Sequence, residues 1–272
     1  IAYGSKVTII TCFPNFPDGK IFPGYKNKWY QREQVDGINI VRVKSFMSAN
    51  EGFFLRTLDY LSFMITSLFA GFFLRKPDVI VATSPQFFTA ISGWLLAVFH
   101  RKPFIFELRD IWPASIVAVG AMKKNLIINF LEKLELFLYK QSNAIIALTE
   151  SFKFDLIGRG VDPNKIHVVL NGVDLDFYQP IKLKNAKLIS DYSLQNKFIV
   201  GYIGTHGMAH GLEVVIEAAK RLAHEPQVVF MMVGSGAAKN NLEAAAKRQN
   251  LNNILFIDAQ PKKLIRNYFS LC

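Results

Sequence analysis

The sequence has 272 residues, of which 51% are apolar and 19% are charged, and this composition excludes a disordered or low-complexity protein. Its 32 Lys and Arg residues outnumber its 21 Asp and Glu residues, so the formal net charge of +11 favours anionic partners: nucleic acid, a membrane surface or a phosphorylated substrate. The basic residues are spread over both halves of the chain, which disfavours a nucleic-acid-binding tail. Cys12 and Cys272 are too few for a disulfide framework and are typical of a reducing cytoplasm.

The first part of the chain alternates between strand-like and helix-like segments. Strands are predicted at 6–11, 38–43, 78–83, 103–108, 143–148 and 165–170, and helices at 52–75, 86–99, 123–140 and 150–158. This alternation predicts an α/β fold with a parallel, doubly wound sheet.

Two segments of this first part have alternative interpretations. Residues 13–33 are predicted to form a long loop that interleaves aromatic and basic side chains, and the loop either packs on the domain or meets lipid headgroups or an anionic acceptor. The uncharged run at 60–74 has 15 residues, fewer than the roughly 20 that span a bilayer. It is therefore predicted to be either a core helix or an interfacial helix.

The second part of the chain follows a polar, poorly periodic segment at 182–196, which is predicted to be a linker. Strands are predicted at 198–203, 227–233 and 253–257, and helices at 212–223, 237–249 and 261–271. We therefore predict an N-terminal domain at 1–178 and a C-terminal domain at 179–272. Three strands are fewer than the first domain has, so the second domain is expected to be incomplete.

Ligands of open parallel sheets bind beyond the carboxyl ends of the strands, so the residues after each predicted strand are the site candidates. The turn 204–211 is rich in glycine, which lets backbone N–H groups approach a phosphate. It is neither a Walker A loop nor a dinucleotide fingerprint, and its glycines alternatively serve tight packing. A second glycine turn, 234–236, follows the next strand.

In the first domain, Arg109 and Asp110 directly follow the predicted strand at 103–108 and precede Trp112 and Pro113. They either face an interdomain cleft or form a structural ion pair. The histidines and cysteines form no metal-ligand spacing, so no metal is expected. The sequence also lacks the Gly-x-Ser-x-Gly elbow of a hydrolase.

Three segments carry a resemblance to a known family: Phe-Glu-Leu-Arg-Asp-Ile-Trp-Pro at 106–113, Val-Leu-Asn-Gly-Val-Asp at 169–174 and Gly-Tyr-Ile-Gly-Thr-His-Gly at 201–207. In this order they resemble GT-B glycosyltransferases of family four, in particular the bacterial polysaccharide subgroup of O-antigen and capsule synthesis that includes fucosaminyltransferase-like proteins. Residues 11–20 and 24–25 are similar to the same subgroup. The resemblance covers essentially the whole chain.

The resemblance implies two Rossmann-like domains, an acceptor-binding one at 1–178 and a nucleotide-sugar-binding one at 179–272. It implies retaining transfer of a sugar from a nucleotide diphosphate donor, expected to be a UDP-sugar, without a metal or another cofactor. The acceptor is expected to be a polyprenyl-diphosphate-linked glycan. The protein would then lie in the cytoplasm, in peripheral contact with anionic lipid at the inner face of the plasma membrane, and would not bind nucleic acid.

The resemblance also assigns roles to individual positions. Arg109 and Asp110 would be catalytic, at the reacting sugars. The donor-binding residues would be Gly204, Thr205 and His206 at the diphosphate, Gly234, Ser235 and Gly236 near the nucleoside, and Ala259 and Gln260 at the base. His210 is also assigned to donor binding. Thr205 and His210 stand where relatives usually hold the diphosphate with Arg and Lys, so the positive charge at the diphosphate must come from elsewhere.

The family's paired glutamates are expected after Cys272 and its first strand before Ile1, so the sequence is expected to be a fragment truncated at both ends. The fragment alone is predicted to be inactive and poorly soluble, with an unpaired sheet edge. Two other functions stay open at this point. One is a sugar-nucleotide epimerase of GT-B architecture, and the other is a non-catalytic nucleotide-sugar-binding subunit.

Overall fold

The computed structural model describes residues 4–15, 19–48, 53–84, 87–113, 125–181 and 183–272. It divides into two compact units, Ile1–Asn171 and Gly172–Cys272. The predicted roles of the two domains, and the predicted boundary between residues 178 and 179, stay predictions. The predicted first residues of four segments, namely Gly52, Gln86, Lys123 and Lys182, lie outside the described residues, as do Phe16, Pro17 and Asp18 of the family-like opening.

Unit 1 begins with a three-stranded sheet. Strands β1 (Thr8–Cys12), β2 (Tyr30–Val35) and β3 (Ile38–Val43) lie in the order β1-β3-β2, with β1 parallel and β2 antiparallel to β3. The prediction of a loop throughout 13–33 is therefore wrong at its end, because Tyr30–Glu33 belong to β2. Their polar side chains concealed the strand, whereas the turn Asp36-Gly37, with φ of +48° and +79°, is the usual signal of a tight hairpin.

A second, four-stranded sheet completes unit 1 and confirms the predicted parallel α/β pattern. Strands β4 (Ile80–Thr83), β5 (Phe104–Leu108), β6 (Ala144–Ala147) and β7 (Ile166–Val168) pair in chain order and in parallel. The described helices of this unit are α1 (Phe53–Phe72), α2 (Phe87–His100), α3 (Leu126–Gln141) and α4 (Glu150–Gly158). Asn125 and Thr149 cap α3 and α4, since each side chain accepts a hydrogen bond from a backbone amide of the first turn.

The core of unit 1 lies between the four-stranded sheet and its helices. Phe104, Phe106 and Leu108 of β5 are buried, and they contact Leu138 and Tyr139 of α3 within one apolar cluster. Burial of each such side chain stabilises the folded state by on the order of 2 kcal/mol, because its apolar surface leaves water. The alternation of buried and half-buried residues along β5 is the period-2 pattern of a strand and explains why this element was predictable.

A buried polar network joins α3 to α4. Tyr139 Oη donates a hydrogen bond of 2.5 Å to Glu135 Oε1, and Arg159 forms an ion pair with the other carboxylate oxygen. Burial raises the pKa of Glu135, although the hydrogen bonds from Arg159 and Tyr139 oppose this effect. Burial and the neighbouring carboxylate raise the pKa of Tyr139 well above its ordinary value. The network therefore depends on all three partners, because each one satisfies another in a dry environment.

Unit 2 is a second parallel α/β layer. Strands β8 (Phe198–Ile203), β9 (Val228–Val233) and β10 (Ile254–Ile257) lie in the order β10-β9-β8, all parallel. Four α-helices are described in this unit: α5 (Ala186–Asp191), α6 (Glu213–Arg221), α7 (Lys239–Arg248) and α8 (Lys262–Phe269).

The predicted linker at 182–196 is wrong at Ala186–Asp191, because these residues form α5. Asn185 caps α5 by accepting a hydrogen bond of 3.1 Å from the amide of Leu188. Leu194 is buried and packs with Ile199 and Met231 of the sheet. The helix is short and has few apolar residues, so the sequence shows little periodicity, and its contacts with the sheet stabilise it instead.

Candidate functional site

A pocket of about 940 Å³ opens at the carboxyl ends of β8, β9 and β10. The strand ends contribute residues from three successive turns, as expected for an open parallel sheet. The site candidates that line the pocket are Gly204, Thr205, Gly234, Ser235, Ala259 and Gln260. The structure thus brings these six residues of unit 2 together, and their predicted contacts with a donor stay predictions.

The two glycine turns at this edge are joined by backbone hydrogen bonds. The amide of His206 donates to the carbonyl oxygen of Ser235 at 2.8 Å, and the amide of Ala238 donates to the carbonyl oxygen of His206 at 2.9 Å. The amide of Gly204 donates to Val233 at 2.9 Å and so continues the ladder between β8 and β9. The turns therefore form one rigid floor rather than two independent loops.

Gly234 and Gly236 are glycines because the other turn leaves no room for a side chain. A Cβ at Gly234 would overlap the carbonyl oxygen of Gly204, and one at Gly236 would lie 2.5 Å from the carbonyl oxygen of His206. Both also have a positive φ, +153° and +150°, which L-residues rarely adopt. For this second turn, tight packing explains the glycines.

Gly204 differs from these two, since the protein itself leaves room for a side chain there. A Cβ at Gly204 would make only ordinary contacts, at 3.7 Å from the ring of Tyr202, and its φ is not in the positive region. Gly204 is exposed and lines the pocket. Gly204 therefore presents bare backbone to the pocket, and the space that a Cβ would occupy lies beside the ring of Tyr202.

Hydrogen-bond donors remain available on the pocket wall. Among the residues that the structure describes, the amides of Thr205 and Ser235 have no acceptor, and neither do their hydroxyl groups. Both residues are exposed and line the pocket. Two amides and two hydroxyls that converge on one space are the groups that oxygen atoms of an anion require.

The two histidines of the turn do not line the pocket. His206 is fully buried, with its ring 5.8 Å from that of Tyr202, and burial lowers its pKa, assisted by the nearby Lys239. His210 Nδ1 accepts a hydrogen bond of 3.1 Å from the amide of Gly207, so this side chain folds back on its own turn. In this structure the His210 side chain stabilises the turn, whereas neither ring nitrogen of the buried His206 has a hydrogen-bond partner among the described residues. The predicted donor contacts of both histidines stay predictions.

Arg266 of α8 is a pocket residue that the sequence analysis missed. Among the described residues that line the pocket it is the one with a charged side chain, and its guanidinium lies 5.8 Å from the ring centroid of Phe177. No carboxylate lies within 4.0 Å of it in the described part of the chain. The basic run Lys262, Lys263 and Arg266 after β10 was the available signal, but the sequence does not show which of these side chains faces the pocket.

In unit 1, Ser84 positions the predicted catalytic pair. Its hydroxyl oxygen accepts hydrogen bonds from the amides of Arg109, at 2.9 Å, and Asp110, at 3.3 Å. Trp112, which follows them, stacks on Phe87 with ring centroids 5.1 Å apart. The carboxyl ends of β4 and β5 thus hold the Arg109-Asp110 turn in place, and the catalytic role of these two residues stays a prediction.

The described residues include no group of three or more His, Cys, Asp or Glu side chains placed to bind a metal ion. In the same part of the chain, no helix has the length and apolar character that crossing a bilayer requires.

Comparison with known proteins identifies the family. Residues 4–177 match the model of Glycosyltransferase Family 4, and residues 186–272 match that of Glycosyl transferases group 1. WcaI of Escherichia coli K12, an inferred colanic acid biosynthesis glycosyl transferase, is 27% identical in an alignment of 270 residues that covers 95% of this chain. The chain spans 65% of the length of WcaI.

Solved structures show the same fold. HepE of Anabaena in complex with UDP has a TM-score of 0.62 at 20% identity, over 85% of this chain and 59% of HepE, and its complex with UDP-glucose has a TM-score of 0.63. Sucrose-phosphate synthase of Thermosynechococcus elongatus has a TM-score of 0.73 at 15% identity, over 100% of this chain and 65% of that protein. These likenesses confirm a GT-B fold built of Rossmann-like α/β domains, and together with the family models they establish that the chain belongs to glycosyltransferase family four.

Proposed function

We propose that this protein is a retaining glycosyltransferase that transfers a sugar from a UDP-sugar to a polyprenyl-diphosphate-linked glycan in the synthesis of a cell-surface polysaccharide. Family membership supports sugar transfer, and the name of WcaI supports a role in polysaccharide synthesis. The UDP and UDP-glucose complexes of HepE support a uridine nucleotide donor. The lipid-linked acceptor places the reaction at the cytoplasmic face of the plasma membrane.

The pocket of unit 2 is the observation that carries this proposal. Its wall offers the amides and hydroxyls of Thr205 and Ser235, which have no acceptor in the described part of the chain, and Arg266 adds one positive charge. A diphosphate needs such donors, because each hydrogen bond to a charged oxygen contributes about 1.5–3 kcal/mol. Backbone at Ala259 and Gln260, on the adjoining turn, is available for the base of the nucleotide.

The same groups suit the chemical step. When the bond between the sugar and the diphosphate breaks, negative charge grows on the departing phosphate oxygen. Fixed amides and hydroxyls, together with Arg266, stabilise that charge without reorganising. Arg109 and Asp110, held by Ser84, are proposed to act on the reacting sugars, and Asp110 is the group that could accept the proton of the attacking hydroxyl.

Binding and transfer are tested in sequence. Calorimetric titration with UDP and UDP-glucose should show saturable binding that Thr205→Pro, which removes an amide, weakens. Because the chain spans 65% of WcaI, turnover is measured on the complete reading frame with a polyprenyl-diphosphate-linked acceptor, and retention is read from the anomeric configuration of the product. An epimerised donor without acceptor would instead indicate an epimerase, and binding without turnover would indicate a binding subunit.

A further inference from the structure

Helix α1 presents a continuous apolar face to solvent. Four of its residues and the one that directly follows it recur at spacings of four and seven, so they share one side of the helix. Their exposed fractions are 71% for Phe54, 36% for Leu58, 49% for Ile65, 60% for Phe69 and 84% for Phe73. Large apolar side chains exposed in one row are unusual on a soluble surface and indicate a partner.

The opposite side of α1 is fixed to the domain. Phe63 and Ala70 are buried against Val41 and Val43 of β3. Arg56 and Asp59, the charged residues within α1, lie off the exposed row. The helix therefore keeps its orientation, and its outward face is uncharged along its whole length of 20 residues.

Helix α2 extends this face at its carboxyl end. The rings of Phe72 and Phe99 lie 4.6 Å apart, and His100 Nε2 donates to the carbonyl oxygen of Gly71 at 3.1 Å. Phe99 is 59% exposed. We call the row on α1 together with Phe99 the α1–α2 apolar face.

Basic residues border the α1–α2 apolar face. Arg75 and Lys76 lie three and four residues after α1, and Arg101 directly follows α2. All three are exposed and have no ion-pair partner among the residues described. Lys102 is paired with Asp78 at 3.5 Å. The border thus has three uncompensated positive charges beside four exposed or half-exposed phenylalanines, Phe69, Phe72, Phe73 and Phe99.

We propose that the α1–α2 apolar face seats the protein on an anionic lipid bilayer, with α1 in the plane of the interface. Apolar side chains would enter the boundary between headgroups and acyl chains, and Arg75, Lys76 and Arg101 would contact lipid phosphates. A second copy of this chain fits less well, since its matching face carries the same three uncompensated cations and adds no negative charge to offset them. The inference deepens the proposed function, because a lipid-linked acceptor lies in such a bilayer.

Cosedimentation with vesicles tests this surface. The purified protein is mixed with vesicles of phosphatidylglycerol and phosphatidylethanolamine, or of phosphatidylcholine alone, at low and high salt. Two double variants change the surface: Phe69→Ser with Phe73→Ser, and Arg75→Glu with Lys76→Glu. Their matched controls are Phe154→Ser, which alters a 68% exposed phenylalanine of α4, and Lys220→Glu with Arg221→Glu, which changes the net charge equally.

The proposal predicts that the protein binds the anionic vesicles and does not bind those of phosphatidylcholine alone. Binding to the anionic vesicles should be about tenfold weaker in each surface variant and unchanged in the control variants. The proposal would be overturned if Arg75→Glu with Lys76→Glu and the control Lys220→Glu with Arg221→Glu lost vesicle binding equally. Electrostatic attraction to the vesicles would then come from the whole protein surface. No binding to anionic vesicles would also overturn the proposal, as would a dimer that the phenylalanine variant dissociates. Titration with UDP in parallel separates this result from the proposed function, because the α1–α2 apolar face lies in unit 1 and the UDP pocket in unit 2.

Discussion

The amide of His206 donates a hydrogen bond of 2.8 Å to the carbonyl oxygen of Ser235, and this bond joins the two glycine turns of unit 2. This bond engages the amide of His206, whereas the neighbouring amide of Thr205 has no acceptor among the described residues and is available to a ligand. The turn therefore divides its backbone donors between folding and binding. This division makes the site testable one residue at a time.

Gly204 and Gly234 should respond differently to alanine. Gly204→Ala should change the free energy of unfolding by less than about 1 kcal/mol, because the added Cβ meets only ordinary contacts with Tyr202. It should weaken UDP binding about tenfold, because it adds bulk to a residue of the pocket wall. Gly234→Ala should destabilise unit 2 by about 3 kcal/mol or more, through overlap with Gly204 and a strained φ. Urea unfolding and calorimetry measure both effects. Equal stability losses in the two variants would contradict this distinction.

Arg266 should supply part of the charge that the glycine turn lacks. Arg266→Ala removes the one charged side chain that the described part of the pocket wall carries and should weaken UDP binding by about tenfold or more. Arg266→Lys should retain part of the affinity, because the positive charge remains but the planar guanidinium is lost.

Arg248→Ala, at an exposed position of α7, is the control for loss of an arginine and should bind UDP normally. Calorimetry at low and high salt gives the comparison. Wild-type affinity in Arg266→Ala would show that the positive charge at the donor comes from another residue.

The partly buried carboxyl of Asp59 should make unit 1 less stable at neutral pH, where the carboxyl is ionised, than at low pH, where it is protonated. Burial raises the pKa of its carboxyl from 3.8 to about 6, against the lowering effect of Arg56. Since the folded pKa is the higher one, the stability that protonation gives is fully present below pH 3.8 and is lost as the pH rises through about 6. Asp59→Asn should therefore be more stable than the wild type at pH 8, with a gain that shrinks towards pH 4.

The midpoint of urea unfolding, followed across this pH range, checks the prediction for Asp59. Asp176→Asn changes an exposed carboxyl and serves as the control, with no comparable gain expected. A gain for Asp59→Asn that is the same at pH 4 and pH 8 would show that titration is not its cause.

Removal of either partner of Glu135 should lower the free energy of unfolding of unit 1. Arg159→Met leaves a carboxylate that is 1% exposed without its cation and should cost about 3–5 kcal/mol. Tyr139→Phe removes one hydrogen bond and should cost about 1–3 kcal/mol. Lys140→Met, on the same helix but exposed, should be nearly neutral.

Urea unfolding at pH 5 and pH 8 tests the network further. Loss of Arg159 should cost more at the higher pH, because the buried carboxylate is then ionised and unpaired. A loss in Arg159→Met no larger than that in Lys140→Met would contradict the assigned importance of the ion pair.

Elements with strong periodicity were predictable from the sequence, and elements held by their surroundings were not. The alternation in β5 and the amphipathic pattern of α3 follow from residues that are buried one by one. Strand β2 is polar and pairs at the edge of its sheet, and α5 is short, so both depend on neighbours that a local pattern does not show.

The site was predictable to a similar degree. Glycines after a strand mark a turn, so the pocket-lining positions Gly204 and Gly234 followed from the sequence. The direction in which a side chain points does not follow from the sequence, which is why the burial of His206 and the position of Arg266 in the pocket were not predicted. Both depend on how the turn and α8 pack against the sheet.

Titration of the protein with UDP, followed by a nitrogen–proton correlation spectrum, tests the central claim most directly. The account predicts saturable shifts of the Thr205 and Ser235 amides, which have no acceptor among the described residues, and smaller shifts for the amide of His206, which is already bonded to Ser235. Saturable UDP binding with these two amides unmoved, or no UDP binding at all, would contradict it.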